Sequence, residues 1–245
     1  MRLINGGMQR SGSHDHLTYI KSKRKGMKKY VFLLGLWMQV ASVAAQEPPV
    51  RKSVLSVHAG PSWYLGKMIG ITNHSDAYRN ALRNGIAWDA DYYFLGDTHP
   101  FDSFKLAPGL TYQGGRYANT HDESSDNIQM HYIAPQLALF MMKRNHHLSL
   151  SAGAGYQHYK DKSVVYGKTR EVSMNKLACN LSAGGEYLLA PCMGVSARLN
   201  WVVTSSDSYS VRYHGQKWQV NAPELSDGGG CFSHLSLLFG MNLHF

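Results

Sequence analysis

Nowhere in the 245 residues is there an unbroken apolar run of the roughly 20 residues that a membrane-crossing helix requires. Charge is scarce too, since Asp, Glu, Lys and Arg make up 17% of the chain. The first shortage excludes a helical multi-span protein. The second, with 11% aromatics and 24 Gly, excludes a charge-rich disordered chain. Cysteine is limited to Cys179, Cys192 and Cys231, an odd count that in an exported chain points to a weakly oxidising habitat.

What is present begins with a leader. From Met27 the chain has a positive start (Lys28, Lys29), an apolar stretch (Tyr30 to Met38) and small residues (Val43, Ala44, Ala45) before Gln46, the pattern of a Sec-type signal peptide. Residues 1–26 resemble no targeting segment and are read as an overcalled start that carries no fold. The expected organisation is a signal peptide over 27–45, a short periplasmic lead over 46–52 and one folded domain over 53–245. The formal net charge of +9 belongs mostly to the leader: removing residues 1–45 takes eight of 25 Lys/Arg and one of 16 Asp/Glu, leaving 17 against 15, a net +2. With no clustered positive patch, nucleic acid is not an expected partner. No Cys closely follows the apolar stretch, so a lipid-anchored lipoprotein is not expected either.

The remaining chain alternates with period two, the mark of strands with one apolar face. Eight runs carry it: Leu55 to Leu65, Ile86 to Phe94, Phe104 to Tyr112, Ile128 to Met141, Leu148 to Tyr156, Leu177 to Leu189, Val195 to Val203 and Leu235 to Phe245. Pro61 and Pro108 suggest bulges or interrupted ladders. In the fourth run Ile128, Met130 and Tyr132 are out of phase with Leu137, Leu139 and Met141, which predicts an inserted bulge residue near Pro135. Each run approximates the 9 to 11 residues of a tilted bilayer-crossing strand.

Charge placement separates a membrane barrel from a soluble one. Inside the runs, counting Lys176 at the edge of the sixth, the ionisable acids and bases are Asp89, Asp91, Lys105, Lys176, Glu186 and Arg198, all on the non-apolar phase and summing to zero. A lipid-facing position would cost about 2 to 4 kcal/mol for Lys or Arg at the midplane. If Leu189 lies opposite Val195 around Pro191 and Cys192, Glu186 faces Arg198 across the ladder. Connections alternate long (66–84, 114–127, 160–171, 204–231) and short (96–103, 143–147, 190–194), as two rims of unequal reach would. Rings collect at the run ends in two belts: Trp63, Trp88, Tyr112, Tyr132, Tyr156 and Trp201 at the long-connection end, and Phe94, Phe104, Phe140, Tyr187 and Phe245 at the other.

The predicted fold is therefore all-β, a closed antiparallel eight-stranded transmembrane up-and-down barrel. A leader, eight alternating runs and a terminal aromatic resemble the small outer-membrane barrels of Gram-negative bacteria, and more narrowly the Bacteroidetes outer-membrane β-barrel domain that includes PorT-like proteins. The resemblance covers about 53–245 and is most specific in Leu235, Leu237, Phe239, Met241, Leu243 and Phe245, which are similar to the strand read by the barrel-assembly machinery. It implies Sec-dependent export to the outer membrane, contact with outer-membrane lipid and lipopolysaccharide, an unknown surface partner and a structural or interaction role. Alternatives are an accessory part of a secretion system and an enzyme acting on lipid A or acyl chains. A lipocalin-type calyx, with Leu237, Phe239 and Met241 inside, is the soluble alternative.

No catalytic residue, cofactor or metal is expected. His146 and His147 beside Lys143 and Arg144 read as a solvated rim and match no zinc spacing. His147 with Ser149, and His234 with Ser236, share strand faces but lack an orienting acid at any readable spacing. Cys192 lies in a tight turn a barrel height from Cys231, so no bridge to it is expected, and Cys179 reads as a small apolar side chain. Ser75 caps a short predicted helix ending before Gly85, whose Arg79 and Arg83 share a face read as solvated, with contact to lipopolysaccharide phosphates as the alternative.

Overall fold

The computed structural model describes residues 52–245 except 67, 69–70, 74, 97–103, 122–123, 144, 166 and 222–229. The expected leader and the segment before it lie outside the described residues. Among the described residues the elements are β1 (Ser53–Tyr64), α1 (Asp76–Leu82), β2 (Asn84–Phe94), β3 (Phe104–His121), β4 (Ser124–Met142), β5 (His146–Val165), β6 (Lys168–Ala190), β7 (Met193–Val203), β8 (Ser205–Ser206), β9 (Ser208–Tyr213), β10 (Gln216–Asn221), β11 (Gly230–Cys231) and β12 (His234–His244). The described residues form an all-β antiparallel architecture with one short helix.

Strands β1 to β7 pair in sequence, β7 pairs with β12, and β12 pairs back onto β1. The ladders thus run through a complete circuit of eight strands. At the junction, Phe245 donates its N–H to the Ser53 carbonyl (3.0 Å), and Lys52 N–H donates to the Phe245 carbonyl (2.6 Å). Small strands lie outside the circuit. β8 pairs with β11, while the β9–β10 hairpin turns through His214 and Gly215, both at positive φ (54° and 76°), and extends β6 beyond the end of β7.

The period-two sequence accounts for the faces. In β2, Ile86, Tyr92 and Phe94 are exposed while Ala87, Asp89, Asp91 and Tyr93 are buried. The exposed phase continues through Val57, Leu110, Leu137, Leu150, Leu181, Leu199 and Phe239, so every strand of the circuit contributes an outward apolar residue. Phe239 and Met241 point outward and Leu237 lies on the same phase, which contradicts the lipocalin alternative.

Several expectations about strand limits are corrected. Pro61 lies opposite Ile86, and the β1–β12 register is the same on both sides of it; Pro108 lies opposite Leu137, beyond the last β2–β3 pair at Gly109. Neither inserts a residue. Nor does Pro135, because β4 keeps one register against β3 throughout and resumes the same register against β5. Ile128, Met130 and Tyr132 instead point inward and are buried. Tyr132 and Phe140 therefore leave the expected belts for the interior, where Phe140 packs edge-on to Tyr93 (5.1 Å between centroids). The expected long connections at 114–127 and 160–171 are mostly strand, since β3, β4, β5 and β6 run 18, 19, 20 and 23 residues. Polar residues on both faces did not end these strands, because each backbone still finds its ladder partner.

The interior is layered. At the short-turn end Val54, Tyr93, Leu95, Ala107, Ala138 and Phe140 form one apolar cluster. At the other end, inward residues of the tall strands (Tyr117, Ile128, Met130, Tyr159) meet Ile71, Tyr78, Leu82 and Phe232 from the connections in a second. The polar residues lie between and beside these plugs.

Candidate functional site

A single cross-strand row builds the polar interior. Asp89 lies opposite His58, His58 opposite Gly240, Gly240 opposite Ser196, Ser196 opposite Glu186, and Glu186 opposite His147. Five inward side chains from β2, β1, β7, β6 and β5 are thereby set at one level, with a glycine on β12 between two of them.

The first cluster centres on Asp89. His58 Nδ1 lies 2.6 Å from Asp89 Oδ1 and His58 Nε2 lies 2.7 Å from Ser196 Oγ. Arg198 Nη1 approaches Asp89 Oδ2 at 3.4 Å and also pairs with Asp91. Gln136 Nε2 donates to the other Asp91 oxygen (3.2 Å), and Ser196 donates to Asn242 Oδ1 (3.1 Å). Buried ions are tolerated only with such direct pairing, because desolvating each costs several kcal/mol.

The second cluster centres on Glu186, whose Oε2 lies 3.2 Å from His147 Nδ1 and whose Oε1 lies 2.7 Å from His244 Nε2. The two imidazoles stand edge to face at 5.4 Å. A Cβ at Gly194 would overlap the Glu186 carboxylate, so glycine at this β7 position leaves the space the side chain occupies. Between the clusters is a cavity of about 10 Å³, lined in part by Ser149, Gly184, Glu186, Ser196 and Arg198. That is about the room one water needs.

Of the six sequence-selected ionisable residues, Asp89, Asp91, Glu186 and Arg198 are buried. Lys176 lies towards the long-connection end, a third exposed and paired with Asp207 (3.1 Å), and Lys105 is partly buried opposite Phe140. The structure brings Asp89, Asp91 and Arg198 together but not Glu186 and Arg198. The two-residue Pro191–Cys192 turn sets Ala190 opposite Met193, and an irregularity between Leu188 and Ala190 shifts the ladder one residue further, so Tyr187, not Leu189, lies opposite Val195 and Arg198 falls opposite Gly184. The zero sum over six residues is therefore not the balance of one site: the buried four comprise three carboxylates and one guanidinium. Of the three imidazoles that complete the site, His58 and His244 were not singled out, and His147, read as part of a solvated rim, is instead buried. Their signal was the strand phase: His146 points outward against Tyr187 (5.1 Å between ring centroids), whereas His147 points in.

A third group closes the long-connection end. Asp126 Oδ2 accepts from Thr72 N–H (3.0 Å), Thr72 Oγ1 (2.7 Å) and Tyr78 OH (2.9 Å), tying α1 and the segment before it to β4. Asp161 beside it accepts from Asn127 N–H (3.1 Å). Burial and the Asp126 charge push Asp161 up to about 8, so this carboxyl holds its proton at neutral pH. On α1, Ser75 accepts from Tyr78 N–H as its cap, and Arg79 leans towards Asp76 (4.0 Å). All three cysteines are free; Cys179 is exposed on the apolar phase, and Cys231 Sγ lies 3.0 Å from Ser233 Oγ.

No family model and no curated protein matches the chain. Among solved structures, it is similar to a major outer membrane protein from Thermus thermophilus (TM-score 0.49, 14% identity, covering 79% of this chain and 99% of that one). It is also similar to the outer membrane protease OmpT from Escherichia coli (TM-score 0.45, 10% identity, covering 82% and 100%). A third is Ail, the attachment invasion locus protein of Yersinia pestis (TM-score 0.43, 13% identity, covering 78% and 99%).

Proposed function

We propose that this chain is an integral outer-membrane protein: a closed eight-stranded barrel with a side-chain-filled interior, exported by the Sec route, with a structural or interaction role in the envelope. The observation that carries this reading is the inversion of faces. Apolar side chains such as Ile86 (60% exposed) and Phe239 (55%) point outward around the whole circuit, while Asp89, Asp91, Glu186 and Arg198 are buried within it. A water-soluble monomer does not expose a continuous apolar girdle, whereas acyl chains require one. Outer-membrane lipid and lipopolysaccharide are the contacts this girdle supports, and β12, alternating up to Phe245 and seated between β1 and β7, is the segment we assign to the assembly machinery. The apolar plugs at both ends and the packed polar middle speak against a diffusion pore.

We also propose that the role is not enzymatic. Ser196, His58 and Asp89 do stand in hydroxyl, imidazole, carboxylate order at 2.7 and 2.6 Å, a spacing used for acyl transfer. Against this, the adjoining cavity has room for about one water, and Ser196 also donates to Asn242. Fractionating the expressing cells and comparing heated with unheated gel samples tests the main reading. The protein is expected in the outer-membrane fraction with a band that shifts on heating. A soluble protein whose band is the same either way overturns it.

A further inference from the structure

The buried charges of the short-turn half do not balance among themselves. Asp89 and Asp91 share Arg198 and have His58 beside them, but the ion-pair partners of Glu186 among the described residues are both imidazoles. Three carboxylates against one guanidinium leave two positive charges to be supplied by imidazole protons or by a bound cation, in a region where each uncompensated ion is costly. Among the described residues of this half, Glu186 is the carboxylate that no Lys or Arg reaches.

We infer that His147, Glu186 and His244 bind a divalent transition-metal ion, with the adjoining cavity holding a water in its fourth position. The nitrogen and oxygen donors of the three side chains all lie within 4.8 Å of one another, and all three residues are buried. His147 Nδ1 and His244 Nε2 converge on the same carboxylate from two other strands, β5 and β12. An ion seated among them at metal–nitrogen distances of about 2.0 to 2.1 Å would replace the direct imidazole–carboxylate hydrogen bonds, with the donors moving apart from Glu186 to admit it. Two imidazoles and one carboxylate suit zinc, cobalt or nickel, whereas magnesium and calcium prefer all-oxygen sets. The double charge of such an ion would balance the carboxylates in place of imidazole protons. The other cluster of this composition, His58, Asp89 and Asp91, is a poorer candidate because Arg198 already occupies the face of both carboxylates.

Gly194 leaves the room that the Glu186 side chain occupies. It is the position where any larger residue would displace the Glu186 carboxylate, and Ser149, Ser196 and Asn242 line the cavity where a metal-bound water would find hydrogen-bond partners. Three protein donors leave the fourth position for a water enclosed in this buried cavity.

The test is titration of the purified, detergent-solubilised protein, stripped with chelator, with cobalt chloride and then zinc chloride. One Co²⁺ per chain with the visible absorption of a four-coordinate ion, displaced by Zn²⁺, is expected. Glu186→Gln and His147→Ala should weaken binding more than about tenfold, while His146→Ala, which alters the outward neighbour, should not. Heat-shifted migration verifies the fold of each variant, and Zn²⁺ should raise the unfolding temperature of the parent but not of Glu186→Gln. Absence of a cobalt spectrum from folded parent protein overturns the assignment, as does undiminished binding by Glu186→Gln or loss of binding in His146→Ala.

Discussion

His58 and Ser196 belong to strands that are not neighbours, yet His58 Nε2 and Ser196 Oγ lie 2.7 Å apart across β12. Gly240 permits it, lying opposite both residues and contributing no side chain. A Cβ at Gly240 would come within 2.7 Å of the His58 ring and closer still to the Val57 carbonyl. Gly240→Ala is therefore expected to cost about 1 to 3 kcal/mol by overpacking, and Ser196→Ala less. Midpoints of urea unfolding in detergent would measure both, and an unperturbed Gly240→Ala would show that the bridge across β12 does not constrain the wall.

Arg198 is the cation for two carboxylates at once. Replacing it with Met leaves Asp89 and Asp91 buried and short of a partner, a change expected to cost roughly 3 to 5 kcal/mol. Adding Asp89→Asn and Asp91→Asn to Arg198→Met should recover most of that loss. Failure of the triple variant to recover would mean that the cluster matters for its hydrogen bonds and not for its charge.

The sequence made the outward face legible because period two needs no knowledge of partners: Val57, Leu150 and Leu199 could be placed from their own neighbours. It misplaced Ile128, Met130 and Tyr132 because an apolar residue facing lipid and one facing a plug carry the same signal, and only the register against β3 and β5 tells them apart. The Glu186–Arg198 pair failed for a related reason: one irregularity beside a two-residue turn shifts every downstream pairing. His147 and His244 are nearly a hundred residues apart, so no spacing rule could join them; circuit closure does.

Asp161 gives the fold a pH dependence of definite sign. Its carboxyl holds a proton up to about pH 8 in the folded state, against 3.8 as the ordinary value. Between those limits the native state binds a proton that the unfolded state has released, so this group's contribution is fully present at the acid end and is lost as pH rises through about 8. Asp126 and Arg170 are the charged neighbours that set the shift, after burial. Asp161→Asn keeps a hydrogen-bond donor at every pH. Its unfolding temperature should fall less than the parent's as pH rises from 3.8 to about 8, and identical slopes would remove Asp161 as the titrating group.

The outward face should show a graded response to charge. Leu199 lies mid-strand on β7 and is about half exposed, whereas Leu177 on β6, 81% exposed, lies opposite Tyr156 near the long-connection end. If lipid covers the girdle, Leu199→Arg should cost about 2 to 4 kcal/mol and Leu177→Arg about 0 to 1, since the penalty falls towards the interface. In water the order would not arise, because both side chains are already exposed and a guanidinium is well solvated at either place. Refolding equilibria into lipid vesicles, measured for both variants beside the parent, separate the two cases. Equal and small penalties would mean that the apolar phase of these strands faces something other than acyl chains.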